Sequence, residues 1–184
     1  MKTPIKILLL FGMFLCLMSA NAQTYYYNTS ATFTEPGYTY LCNTTPDKSV
    51  ILYNYENQFT FVKQTYSDGS YINATFDIDK FIPDVEDDTW TRSLSYAIVN
   101  NAFSPAEKIR INGKSFGIEM IIHPITGVVM EVHFTFTSVS PYATIPVSVY
   151  RTIELQLKSQ IWFIPNAEGN RKNYLFCGWT QKVQ

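Results

Sequence analysis

The sequence predicts an α+β domain in which two main helices pack on one face of an antiparallel sheet. Aromatic residues make up 16% of the chain and are interleaved with Thr, Val and Ile, a composition that favours strands. The dipeptides Asp68-Gly69 and Asn112-Gly113 are hairpin-turn signals between such runs. Two stretches, which start near Asp87 and at Pro146, instead repeat apolar residues every three or four positions, as amphipathic helices do.

The first half is predicted to supply strands before the first helix. A partly extended arm and a short strand surround the turn Glu35-Pro36-Gly37, and residues 49–55, 58–66 and 71–78 then read as strands. Residues 81–88 form a loop, and Asp87 or Asp88 caps the first helix. The apolar stripe of this helix is predicted to contain Trp90, Leu94, Ala97 and Ile98.

A second helix start follows almost immediately. Ser104-Pro105-Ala106-Glu107 has the pattern of a capping box with proline at the first helical position, and it predicts one further turn. Residues 108–111 are then expected to pair with the next strand across Asn112-Gly113.

The clearest strand pattern is a hairpin around Pro124-Ile125-Thr126-Gly127. Alternation places one set of apolar side chains on a single face: Phe116, Ile118, Met120, Ile122, Val128, Met130, Val132, Phe134 and Phe136. The other face carries Glu119, His123, Glu131, His133 and Thr135, so we expect it to meet solvent or a polar cover.

The second main helix is predicted to begin at Pro146. Its apolar stripe consists of Val149, Tyr150, Ile153 and Leu157. Residues 161–164 and 174–179 are predicted as the last two strands, and the polar tail after Trp179 is predicted to be ragged.

The N-terminal segment predicts export. Lys2 and Lys6 precede an apolar run over residues 7–18, and small residues follow up to Ala22, which is the layout of a cleaved signal peptide. We therefore predict a single domain over residues 23–184 in the periplasm, at the cell surface or in the medium. The net charge of −1, made more negative by loss of the two lysines, argues against nucleic-acid binding. No later stretch is apolar for long enough to span a membrane.

Part of the chain resembles a known domain. The run 116–179 reads hairpin, proline-started helix, strand, turn and strand, with Pro124-Ile125-Thr126-Gly127-Val128, Leu157-Lys158-Ser159-Gln160 and Ile161-Trp162-Phe163-Ile164-Pro165 followed by Asn166-Ala167-Glu168-Gly169. In these residues it is similar to the C-terminal domain of TonB-type proteins, which implies a topology. The chain has neither the membrane anchor nor the proline-rich spacer of TonB, so energy transduction is not implied. The whole-length proportions also resemble an uncharacterised exported family of Bacteroidetes.

The two halves share several sequence features. Phe103-Ser104-Pro105-Ala106-Glu107 is echoed by Phe163-Ile164-Pro165-Asn166-Ala167-Glu168, and an Ile-Pro pair precedes each main helix. One interpretation is a pair of diverged hairpin-plus-helix modules, roughly residues 49–107 and 115–179. Chance similarity is the other.

Two groups of residues are candidates for chemistry. Gly113-Lys114-Ser115-Phe116-Gly117 fits the G-x-S-x-G pattern, but a nucleophilic Ser115 needs a strand-to-helix elbow, and this motif leads into a strand. His123, His133, Glu119 and Glu131 have side chains that bind divalent metals. Cross-strand Glu–His pairing on a polar sheet face explains the same residues without a metal.

Two further features have structural and functional interpretations. The acidic residues Asp77, Asp79, Asp84, Glu86, Asp87 and Asp88 lack the ordered spacing of a calcium loop, so helix capping is favoured. Cys42 and Cys177 remain after removal of Cys16. They form either a disulfide or two separate thiols.

No set of residues combines into a coherent active site. The sequence therefore favours a non-enzymatic binding or interaction module, with no cofactor, whose partner is a protein or glycan of the cell envelope. Glycan recognition by surface Tyr and Trp is one alternative. A small hydrolase or metal enzyme using Ser115 or His123 and His133 is the other.

Overall fold

The computed structural model describes residues 24–72, 84–86 and 89–184 of the chain. Six strands lie within these residues: β1 (Ala31–Glu35), β2 (Tyr38–Thr44), β3 (Ser49–Asn54), β4 (Ser115–Ile122), β5 (Val129–Thr137) and β6 (Leu175–Lys182). The three described α-helices are α1 (Thr89–Ala102), α2 (Pro105–Ile111) and α3 (Val147–Gln160). Pro141–Thr144 and Gly169–Arg171 are short 3-10 turns. The predicted signal segment, most of the predicted strand 71–78 and the predicted caps Asp87 and Asp88 lie outside the described residues.

The strands form one antiparallel sheet in the order β1-β2-β3-β5-β4-β6. The predicted α+β class is therefore confirmed, with helices and strands segregated as expected. The hairpin of β4 and β5 lies near the middle of the sheet, whereas β1 and β6 lie at its two ends.

One face of the sheet, which we call the helix face, is packed mainly with aromatic rings. Tyr150 of α3 is fully buried, with its ring centroid 5.0 Å from that of Phe134 and 5.5 Å from that of Phe136. Phe116 stacks on Tyr142 at 4.4 Å. Offset and edge-on aromatic pairs add stability beyond the area that they bury. This layer joins α3 to the central strands.

A β-bulge changes the predicted face of β5. Ile121 pairs with Glu131 but Ile122 pairs with Val129, so Met130 is the extra residue. Val129 is consequently buried, while Val128 is 47% exposed. The prediction that Val128 and Met130 belong to the core face was wrong, because strict alternation does not survive the inserted residue. Beyond the bulge, Val132, Phe134 and Phe136 are buried as predicted.

Helix α1 forms where it was predicted but buries a different side. Leu94 is 39% exposed and Ala97 is exposed, whereas Thr91 and Ser95 are buried beside Ile98 and Val99. The side chain of Trp90 lies outside the described part. The apolar stripe was misjudged because small polar residues face the sheet. Helix α3, by contrast, buries Tyr150, Ile153 and Leu157 as predicted.

Helix α2 carries the predicted capping box, in which Ser104 and Glu107 cap each other's backbone. The helix continues through residues 108–111, which were expected to pair with the next strand. Asn112 and Gly113 then end it, and Gly113 takes the positive φ of 73° that the reversal needs.

Two other predicted strands are absent from the described residues. Within 58–66 the backbone makes turns and the isolated bridges of Thr65 and Tyr66. Residues 161–164 make only the bridge of Trp162 to Val128. In that segment Phe163 N donates to Gly127 O at 2.8 Å, and a Cβ on Gly127 would lie 1.8 Å from Phe163 O. The tail is also more ordered than predicted, because β6 runs to Lys182 and Val183 is buried.

Candidate functional site

A cleft of about 300 Å³ lies between α1 and β6 on the helix face. We call it the α1–β6 cleft. Its described lining comes from the helix, from two strands and from the segment before β6: Thr91, Arg92, Ser95, Tyr96, Met120, Phe163, Cys177, Gly178 and Trp179. Its size is at the lower end of the range of small-molecule sites.

The local sequence explains why space remains here. The buried positions of α1 at this end are Thr91 and Ser95, whose side chains are too short to fill the gap to the sheet. Ser95 Oγ donates to Thr91 O at 2.9 Å, so its hydroxyl is satisfied within the helix. On β6, alternation directs Cys177 and Trp179 toward the helix. The cleft is the space between these two rows.

A chain of hydrogen bonds fixes the aromatic wall of the cleft. Trp179 Nε1 donates to Gln181 Oε1 at 2.9 Å. Gln181 is itself buried, and its Nε2 donates to Tyr96 O at 2.9 Å and to Asn100 Oδ1 at 3.0 Å. The rings of Tyr96 and Trp179 lie 6.0 Å apart and are tilted by 51°. The indole is therefore held in place before any ligand arrives.

The side chains around the cleft suit binding rather than acid–base chemistry. Met120 and Phe163 supply apolar surface, Tyr96 and Trp179 supply flat aromatic surface, and Cys177 supplies a thiol. Among its described lining residues there is no carboxylate or imidazole. Proton transfer at a reacting atom usually needs one of those groups.

The residues predicted as a possible metal site lie on the opposite face of the sheet and do not form one. His133 Nε2 lies 2.9 Å from Glu119 Oε2. Glu131 instead accepts the backbone N–H groups of Gln58 and Phe59, with Phe59 N at 3.0 Å from Oε2. His123 lies in the hairpin turn, where its Nδ1 accepts from the backbone at 3.2 Å. The described chain holds no group of three or more His, Cys, Asp or Glu residues placed to bind a metal ion.

Glu119 and His133 form the kind of cross-strand pair that the sequence offered as the alternative to a metal site. The hydrogen bond from His133 holds the pKa of Glu119 below its ordinary value, against the opposing effect of burial. The other ring nitrogen, His133 Nδ1, is buried and has no hydrogen-bond partner within the described part. The pair is a cross-strand contact, since Glu119 and His133 are directly opposed in the β4–β5 register.

Ser115 does not lie on a nucleophile elbow. It is the exposed first residue of β4 and is paired with Lys182 of β6. His133 is paired with Glu119, which lies four residues after Ser115 on β4. At the usual strand rise, Ser115 and the position of His133 are therefore about 13 Å apart along the sheet. The geometry that the G-x-S-x-G motif requires is therefore not present at Ser115.

The two cysteines are separate free thiols. Cys42 lies on β2 and Cys177 on β6, and these strands are four steps apart in the sheet order. At the usual strand spacing that separation is about 19 Å, whereas bridged cysteines need Cα atoms within about 7 Å. The structure thus favours the two-thiol alternative over the disulfide. Burial raises the pKa of the Cys42 thiol.

The acidic residues before α1 are only partly described. Asp84 Oδ1 lies 2.5 Å from Lys172 Nζ, so this carboxylate forms an ion pair and not a helix cap. Asp77, Asp79, Asp87 and Asp88 lie outside the described residues.

Sequence reasoning did not identify the α1–β6 cleft. The available signals were the spacing of Thr91 and Ser95, which places them one turn apart on α1, and the alternation of Cys177, Trp179 and Gln181. Neither signal reveals that the two rows face each other, because that depends on β6 pairing with β4 at the end of the sheet.

The comparisons with known proteins agree with the fold. Residues 23–179 match a family described as a domain of unknown function, DUF5043. A solved structure, described as the crystal structure of a DUF5043 family protein from Bacteroides uniformis ATCC 8492, is 38% identical in sequence with a TM-score of 0.80. The match covers 88% of this chain and 95% of that chain. No curated protein matches the chain.

Proposed function

We propose, from the premise that this chain belongs to the DUF5043 family, that it is an exported, non-enzymatic binding module of the periplasm or cell surface. The family is one of unknown function, so the support comes from the molecule itself. The observation that carries the proposal is the α1–β6 cleft, whose Trp179 is fixed through Gln181 to the backbone of α1. A wall fixed in advance lowers the entropy cost of binding.

The ligand chemistry follows from the surfaces in the cleft. Trp179 and Tyr96 offer flat faces, Met120 and Phe163 offer apolar surface, and Arg92 offers a cationic group at the same opening. We infer a ligand with a flat or cyclic apolar part, small enough for about 300 Å³.

Ligand-observed NMR with a library of cyclic and aromatic fragments tests this proposal on the chain that starts at Gln23. We expect hits that lose their saturation transfer in Trp179→Ala. Trp162→Ala is the matched control, because Trp162 is 52% exposed and does not line the cleft. Hits that also protect Cys177 from alkylation would place them in the cleft. Equal binding to both variants, or no hits, would contradict the proposal.

A glycan ligand is the second candidate, and the paired faces of Tyr96 and Trp179 favour it. Sugar rings stack on such aromatic faces. A glycan array probed with the wild-type protein and with Trp179→Ala decides this case. We expect hits that the variant loses, and an array without hits would exclude the glycan.

Export is proposed from the sequence of residues 1–22. Within the described residues no helix is both long enough and apolar enough to cross a membrane. Mass spectrometry of the protein recovered from its native host should find Gln23 at the N-terminus. Recovery from the cytosol with Met1 still attached would contradict export.

The resemblance of residues 116–179 to the C-terminal domain of TonB-type proteins suggests a second way in which this binding module could recognise a partner. Such a module would recognise a partner strand through an end of the sheet, and β1 and β6 are the end strands of the described sheet. The proposed pair of modules over residues 49–107 and 115–179 belongs with this proposal. An affinity pull-down from the native envelope fraction would identify a protein partner.

A further inference from the structure

A second cleft, of about 360 Å³, lies on the helix face at the other end of the sheet. We call it the Arg151 cleft. Its lining comes from the β1–β2 turn, the end of β3 and α3: Thr34, Glu35, Gly37, Tyr38, Thr39, Asn54, Tyr55, Glu56 and Arg151. None of the residues identified in the α1–β6 cleft takes part in it.

Two lining residues of the Arg151 cleft, Asn54 and Arg151, contact a buried carboxylate that does not itself line the cleft. Glu154 of α3 is fully buried. It accepts hydrogen bonds from Tyr40 of β2 and from Asn54 Nδ2 of β3, the latter at 3.2 Å and 3.3 Å. A buried charge is retained only when it is well paired, and here two cations lie beside it. Arg151 Nη1 lies 2.7 Å from its Oε2, and Lys158 Nζ lies 3.6 Å from its Oε1.

This anchor fixes the orientation of the guanidinium at the cleft. Arg151 Nη1 donates a hydrogen bond to Glu154, and the guanidinium carbon of Arg151 lies 5.5 Å from the centroid of the Tyr38 ring. Arg151 also forms a side-chain hydrogen bond with Tyr40, and a guanidinium has five N–H donors, so donors remain for a ligand in the cleft. A planar guanidinium held by a stacked ring and a buried partner presents these donors in a fixed fork, which suits a carboxylate.

Negative charge also lies near the ring of Tyr38. Glu35 of β1 is directly opposed to Tyr38 in the β1–β2 register and is exposed. Burial raises the pKa of Tyr38, Glu35 raises it further, and Arg151 lowers it, so the phenol lies in the fields of both charges. Glu56 adds a second exposed carboxylate to the rim.

We propose that the Arg151 cleft binds a small zwitterion of the amino-acid class. Its carboxylate lies on the fork of Arg151, its ammonium group faces Glu35 and Glu56, and its side chain lies against Tyr38 and Tyr55. A purely anionic ligand would meet the two carboxylates unpaired. A purely cationic ligand would meet Arg151, so only a ligand with both charges satisfies the rim.

Isothermal titration with three related probes tests the charge requirement. Phenylalanine carries both groups, phenylalaninamide lacks the carboxylate, and N-acetylphenylalanine lacks the ammonium group. We expect phenylalanine to bind at least about tenfold more tightly than either analogue, because each analogue leaves one charged side of the rim unpaired. An analogue that binds as tightly as phenylalanine, or no binding of phenylalanine to the wild type, would overturn the proposal.

Two variants of α3 test whether phenylalanine binds in the Arg151 cleft. Arg151→Lys keeps a cation beside Glu154 but removes the fork, and we expect at least about tenfold weaker binding of phenylalanine. Lys158→Met is the matched control, since Lys158 contacts the same carboxylate but does not line the cleft, and its affinity should be unchanged. Unchanged affinity in Arg151→Lys would overturn the proposal.

Glu35→Gln keeps the proposal falsifiable even if Arg151→Lys does not fold. Because Glu35 is exposed, its replacement should leave folding intact and should remove most of the preference for phenylalanine over N-acetylphenylalanine. A preference retained in full would contradict the assigned role of Glu35. Trp179→Ala should not affect any of these measurements, so failure here and failure of the α1–β6 cleft are distinguishable.

Discussion

The two faces of the sheet are built by different physical means. On the helix face, α3 covers β5 mainly with aromatic rings, and the polar contacts of Glu154 lie to one side of them. On the other face, residues 57–66 cross the strands as irregular chain, so we call it the segment face. There Phe61 packs on Tyr53 at 5.2 Å, but Glu131 and Asn57 hold the segment to the sheet through hydrogen bonds.

The difference shows what each kind of cover requires. A helix satisfies its own backbone, so it can cover a sheet with apolar side chains alone. An irregular segment has backbone N–H groups that must find acceptors when it is buried. Glu131 supplies such an acceptor from near the start of β5, which explains why an acidic residue is only 6% exposed on an inner strand of the sheet.

The largest effect should come from the helix face. Phe134→Ala removes a fully buried ring that contacts both Tyr150 and Phe116, and we expect a loss of about 3–5 kcal/mol in the free energy of unfolding. Phe176→Ala is the matched control, because Phe176 is 51% exposed on β6. Urea denaturation measures both variants. A loss in Phe134→Ala no larger than in the control would contradict this account of the packing.

Alkaline pH should weaken the same face next. Burial raises the pKa of Tyr142 to about 12 from its ordinary 10.0, and burial also raises the pKa of Tyr27, Tyr40 and Tyr150. A raised pKa stabilises the fold fully below pH 10 and progressively less as the pH rises toward the folded value. For Tyr142 the difference is on the order of 3 kcal/mol.

Urea denaturation at pH 8, 10 and 11 tests the tyrosine prediction. We expect stability to fall between the last two values and to fall less steeply in Tyr142→Phe. That variant loses the titrating group together with the 3.2 Å hydrogen bond to Lys114 O. An identical fall in both proteins would show that Tyr142 does not contribute.

The segment face should respond to Glu131 in a different way. Glu131→Ala leaves the N–H groups of Gln58 and Phe59 without their carboxylate acceptor, which we expect to cost about 1–3 kcal/mol. Hydrogen exchange of these two amides should accelerate while the amides of α3 stay protected. Glu56→Ala removes an exposed carboxylate from the residue just before this segment and should change neither measurement. Uniform acceleration across both faces would instead mean that the two covers unfold together.

The helix face was largely predictable from the sequence, whereas the segment face was not. Alternation identified the buried residues Phe116, Ile118 and Met120, and the 3.6-residue period identified those of α3. These patterns are local consequences of strand and helix geometry. The bulge at Met130 is not such a pattern, since it is a property of the pairing between two strands.

The candidate sites needed tertiary information that no local pattern contains. Residues 58–66 read as a strand because they are rich in aromatic and β-branched residues, but their contacts with Glu131 and Tyr174 lie about 70 to 110 positions away in sequence. Glu154 was not recognised as a buried residue, because a glutamate is ordinary within a helix. The partners that keep it buried, Tyr40 and Asn54, come from β2 and β3. The polar and charged residues were therefore visible in the sequence, whereas the pairs that they form were not.

The smallest effect should come from the Glu119–His133 pair, which joins β4 and β5 on the segment face. The hydrogen bond from His133 lowers the pKa of Glu119, so the pair stabilises the fold above the ordinary carboxyl pKa of 4.5 and loses that contribution as the pH falls through the lower folded value. A double-mutant cycle with Glu119→Gln and His133→Gln should give a coupling of about 0.5–1 kcal/mol at pH 7, because Glu119 is partly solvated. An NMR titration of the Glu119 carboxyl should show its pKa rising in His133→Gln. A coupling of zero at pH 7, with an unchanged titration, would mean that the Glu119–His133 pair does not contribute to the stability of this face.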